Sequence, residues 1–104
     1  MANGLKDNAP LDEREIFYFR ASYRDRVYQS VMAYFAACAE RDGLTKARIA
    51  SLLQRDPASI TRWLSGPGNW TLDTVSDLLL AMDAEMSNEV IPFNDPVIPA
   101  SESA

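Results

Sequence analysis

The chain has 104 residues, 47% of them apolar, which suits a single globular domain, and its net charge of −5 excludes a protein coated in positive charge for generic polyanion binding. It has no histidine and one cysteine, Cys38. That composition excludes a Ser/His/Asp triad, a Cys/His dyad, a histidine zinc site, an intrachain disulfide and a CxxC pair, so no enzyme chemistry, metal or cofactor is expected.

No apolar run approaches the roughly 20 residues of a membrane span, and Met1–Pro10 lacks an apolar signal segment, so a cytoplasmic protein is expected. The charge is uneven. Residues 14–66 carry nine basic and five acidic residues, whereas residues 67–104 carry seven acidic and none basic. The acidity therefore belongs to the ends and the middle is basic, so any nucleic-acid site is a local one.

Residues 1–11 and 94–104 read as disordered tails, the second acidic, because both are polar or proline-containing and too poor in apolar surface to offset ordering entropy. The folded domain is expected over residues 12–93. Asp12 with Glu15 three residues on is an acidic variant of the capping box and starts a helical signal. Ile16, Phe19, Tyr23, Val27, Val31, Tyr34 or Phe35, and Cys38 then recur at spacings of three and four, the period of an amphipathic helix, until Gly43. Ser22 and Asp25 form a second possible cap, so this stretch is either one long helix or a short one followed by a medium one.

Thr45 caps a second helix, Lys46 to about Leu53, with Ile49, Leu52 and Leu53 on its apolar face and Ala50 as a small packing residue. Asp56-Pro57 starts a third, running to Ser65 with Ile60, Trp63 and Leu64 apolar; aspartate accepts from free N–H groups, and proline at the first helical position gives up a donor that has no partner. Ser65 to Asn69 is a loop. Thr71 caps a fourth helix to about Glu85, with Leu72, Val75, Leu79, Met82 and Met86 as its stripe, and Glu89–Phe93 is a candidate edge strand interrupted by Pro92. Trp63 and Trp70 read as packing residues, and Cys38 as a small buried one.

Two short helices joined through Gln54, Arg55 and Asp56 must cross steeply to bury their faces, which is the helix-turn-helix unit. Leu44-Thr45-Lys46-Ala47-Arg48-Ile49-Ala50-Ser51-Leu52-Leu53, then Ile60-Thr61-Arg62-Trp63-Leu64-Ser65-Gly66 and Asn69-Trp70-Thr71-Leu72, resembles the Cro and lambda-repressor type of helix-turn-helix protein, the XRE family. The match runs without a gap over residues 44–72. It combines a threonine cap, an alanine at the helix crossing, an isoleucine in the third helix and a Ser-Gly stop. The resemblance implies an all-α, compact bundle of about five helices with its core over residues 26–86, the helix-turn-helix at 45–65, and here an extended N-terminal helix.

The resemblance further implies a reader of double-stranded DNA. Base edges fall to Pro57, Ala58, Thr61 and Arg62, of which Arg62 suits bidentate contact with guanine and the apolar pair suits a thymine methyl. Phosphates fall to Lys46, Thr45, Arg48, Arg55, Ser65 and Asn69. An alternative partner for Arg62 is an acid on the fourth helix, Asp73 or Asp77. The Ile16–Phe19 cluster is apolar all round its helix, so one face must meet something other than the core. A homodimer through Ile16, Phe17 and Phe19 is expected, with folding back within the monomer as the alternative. The expected function is transcriptional regulation, most simply repression of an inverted-repeat operator; the competing readings are an antitoxin of a toxin–antitoxin pair and an interaction module that binds another protein in place of DNA.

Overall fold

A computed structural model describes residues 9–93. Of the expected tails at 1–11 and 94–104, residues 1–8 and 94–104 lie outside the described residues, and residues 9–11 are exposed and outside any helix. The described chain is helical with no strand: α1 is Glu13–Asp42, α2 Lys46–Leu53, α3 Pro57–Trp63 and α4 Leu72–Ala81. About five helices were expected and four are found among the described residues, since α1 runs unbroken for 30 residues. No glycine or proline interrupts it, and the Ser22/Asp25 cap is not used.

Each helix begins on the side chain its sequence predicts. Asp12 accepts from the Arg14 N–H at 3.0 Å, Thr45 from Arg48 at 3.1 Å, Asp56 from Ala58 at 3.1 Å and Thr71 from Thr74 at 3.1 Å. These bonds satisfy N–H groups that have no partner inside the helix. Gly43 ends α1 in the left-handed region, φ 73°, and its N–H returns to Ala39 O at 3.0 Å.

Two helices end sooner than their sequences suggest. α3 stops at Trp63, with Leu64 as its cap, instead of reaching Ser65. α4 stops at Ala81 instead of Glu85, since Asp83 turns to φ 56° and the Ala84 N–H bonds back to Leu79 O at 2.9 Å. The expected edge strand at Glu89–Phe93 does not form. Pro92 has no donor, and no other strand exists among the described residues to pair with it.

The core draws two buried residues from each helix and its cap: Val31 and Cys38, Ile49 and Ala50, Ile60 and Leu64, Leu78 and Met82. No polar or charged residue is buried among the described residues. Val27, Trp63, Trp70, Leu53 and Leu79 pack partly buried around this centre. Burying a side chain the size of Ile60 or Leu78 stabilises the fold by about 1.5–3 kcal/mol. Two expected core positions are corrected. Leu52 is exposed, and so is Leu72 at 87%, the latter because α4 turns Leu78 and Met82 inward and helical spacing puts Leu72 on another side of the helix. Residues 13–26 of α1 contribute nothing fully buried and lie outside the core.

Candidate nucleic-acid interface

α2 packs against both α3 and α4 and so supports the candidate face. Its buried residues, Ile49 and Ala50, share one core cluster with Ile60 of α3 and its cap Leu64. The turn between them needs a left-handed residue, and Gln54 supplies it at φ 51° while its N–H bonds to Ser51 O at 3.2 Å and that of Arg55 to Ala50 O at 2.9 Å. Helix, three-residue turn and helix are therefore held by local bonds and by the shared core.

Burying Ile60 fixes what α3 shows to solvent. Pro57, Ala58, Thr61 and Arg62 are all exposed, and their spacing puts them on one face of the helix. The structure thus brings together all four residues expected to read bases. Arg62 donates to Ser59 Oγ at 3.4 Å and has no ion pair among the described residues. Its alternative partner Asp77 lies instead 3.9 Å from Arg55. Asp56, at the N-terminus of the same helix, is exposed and acidic, so the helix presents one negative group beside its one positive group, Arg62.

The residues expected to hold phosphate are all exposed, but they separate into groups. Lys46 opens α2 with no ion pair among the described residues. The Thr45 hydroxyl is occupied as a cap, and Ser65 Oγ donates to Arg62 O at 2.8 Å. Asn69 lies in the loop before Trp70. Arg55 has contacts within the fold: its half-exposed guanidinium sits 5.1 Å from the Trp63 ring centre and 3.9 Å from Asp77. Arg48 lines a shallow depression with Tyr34, Asp42 and Asp83, and no residue of α3 shares it.

Near that depression, Asp42 holds the Arg41 guanidinium by a 2.9 Å hydrogen bond and a 2.8 Å ion pair. The Arg41 proton is bound more firmly than usual as a result, and the Asp42 carboxyl is held below the ordinary carboxylate range by the same hydrogen bond.

One supporting residue escaped the sequence reading. Tyr28 donates its phenol hydrogen to Leu64 O at 2.9 Å and packs on Trp70, ring centres 5.6 Å apart, so α1 clamps the end of α3. Its signal was a hydroxyl-bearing aromatic at the edge of the α1 apolar stripe. At the other end of α1, Phe19 already has partners in its own chain: Phe93 edge-on at 5.5 Å, Tyr23 at 6.0 Å and the Arg26 guanidinium at 5.9 Å. Ile16 is half-buried and Phe17 is 70% exposed.

No helix among the described residues is long and apolar enough to cross a membrane. Comparison with protein-family models, with curated proteins and with solved structures finds no match to this chain.

Proposed function

We propose that this protein binds double-stranded DNA through α3 and regulates transcription, acting as a repressor that occupies an inverted-repeat operator as two copies. The reading follows the resemblance to Cro and lambda-repressor type proteins. One observation carries it: Pro57, Ala58, Thr61 and Arg62 share the exposed face of a helix held from behind by the buried Ile60. A helix presented in this way fits the major groove. Arg62 matches guanine O6 and N7, Thr61 either base type, and the Pro57 and Ala58 side chains a thymine methyl. Lys46 supplies a positive charge for a phosphate at the start of α2.

Fluorescence anisotropy of the full chain on genomic DNA fragments at several salt concentrations tests the proposal. Binding of a subset of fragments is expected, weakening steeply with salt. Arg62→Ala should weaken the preferred site by about 1–3 kcal/mol and relax one position, while Lys46→Ala should weaken all fragments alike and lower the salt slope by about one. No binding at low salt, or unchanged binding by both variants, overturns the reading in favour of a module that binds protein.

A further inference from the structure

We propose that residues 14–25 of α1 form an antiparallel seam with the same segment of a second copy of this chain, in the register that sets Arg14 against Asp25 and Tyr18 against Ala21. The seam rests only on the two-copy part of the functional reading and does not need DNA.

The face is free and apolar at its centre. Phe17 and Tyr18 are 70% and 68% exposed, and nothing in residues 13–26 is fully buried. The opposite face is already covered, since Phe93 and Arg26 pack over Phe19, and Arg26 also lies 5.2 Å from the Tyr23 ring. Folding back within the monomer therefore accounts for Phe19 but not for Phe17 and Tyr18, which project from the other side of one rigid helix.

Spacing defines the stripe. Arg14, Tyr18, Ala21 and Asp25 follow at intervals of four, three and four, the seam period of paired helices, and all four are exposed. Turned end over end about a point between Phe19 and Arg20, the stripe meets itself with opposite charge at each end and a large side chain over a small one on both sides of the axis. Such self-complementarity is what a two-fold interface requires.

Charge selects the orientation. Asp12, Glu13 and Glu15 make the start of α1 acidic despite Arg14, whereas Arg20, Arg24 and Arg26 make the following stretch basic despite Asp25. An antiparallel pair lays the acidic end on the basic one, and a parallel pair opposes like charges. Neither Arg14 nor Asp25 is in an ion pair among the described residues, so both are available. The seam spans about 17 Å of helix, short for a permanent interface, and suits a weak dimer that becomes firm when both copies sit on one duplex.

Sedimentation equilibrium of the full chain at about 100 μM without DNA, a concentration chosen for a weak interface, tests this. The parent should dimerise reversibly. Arg14→Glu and Asp25→Arg should each raise the dissociation constant about tenfold, since each turns two attractive contacts into repulsive ones, and the double variant should return it to within about threefold of the parent. Far-UV circular dichroism checks that each variant stays folded. A monomeric parent, single variants that dimerise like the parent, or weakened single variants without rescue in the double would each overturn the seam. Loss of DNA binding with the dimer intact would leave it standing.

Discussion

The Tyr28 phenol donates a 2.9 Å hydrogen bond to the Leu64 carbonyl oxygen, joining the long first helix to the end of the helix proposed to read DNA. That carbonyl is one of those left without a partner where α3 stops, and Leu64 itself is buried. Tyr28→Phe keeps the ring on Trp70 but strips the carbonyl of its donor, so urea denaturation should show a loss of about 1 kcal/mol. A midpoint equal to the parent's would mean that water replaces the phenol there.

Leu78 and Leu72 stand six residues apart on α4 and differ completely in burial, 0% against 87% exposed. Leu78→Ala should cost about 2–5 kcal/mol, and Leu72→Ala should stay within about 0.5 kcal/mol of the parent. Leu79→Ala, at a half-buried position, should fall between them. Equal melts for the first two variants would show that α4 is rotated about its axis.

Arg55, expected to meet phosphate, also lies against Trp63 and Asp77, and we propose that these contacts hold it in place of phosphate. Arg55→Ala should lower stability by up to about 1 kcal/mol, because both contacts are partly in solvent, and should leave the salt slope of DNA binding unchanged. A slope reduced by about one, as for Lys46→Ala, would return Arg55 to the phosphate contacts.

Gln54 holds the turn between α2 and α3 at φ 51°, a region in which a Cβ costs energy. Gln54→Gly removes that cost and should stabilise the protein by about 0.5–1 kcal/mol in thermal melts, with DNA binding retained. A lower melting temperature would show that the Gln54 side chain makes a contact worth more than the relief.

Asp42 should titrate below the ordinary aspartate range in an NMR pH series, since the Arg41 hydrogen bond favours its ionised form. The contact therefore contributes fully above the unfolded carboxylate range and is lost as pH falls through the lowered value. Arg41→Ala should bring the titration back up to that of a free aspartate. No change would assign the lowering to something other than Arg41.

Local chemistry alone determined where helices start. Asp12, Thr45, Asp56 and Thr71 were readable as caps because each accepts from an N–H only two or three residues ahead, a bond that needs no distant neighbour. The Asp56-Pro57 start and the three-residue turn likewise marked out the pair of short helices, and with Ile60 inward the exposure of Pro57, Ala58, Thr61 and Arg62 follows from helical spacing. What only the tertiary structure decided is which of several overlapping stripes faces inward. Leucines crowd α4, so Leu78 competes with the stripe Leu72-Val75-Leu79-Met82, and packing against α2 buries Leu78 and Met82 while leaving Leu79 half-buried and Leu72 exposed. The same reason separates Leu52 from Ile49, and Phe19 from Phe17. It also governs the charged residues: Arg55, Arg48 and Arg62 look alike along the chain, and the fold sets Arg55 by Trp63 and Asp77 and Arg48 in a depression with Asp42 and Asp83, while Arg62 is in no ion pair among the described residues.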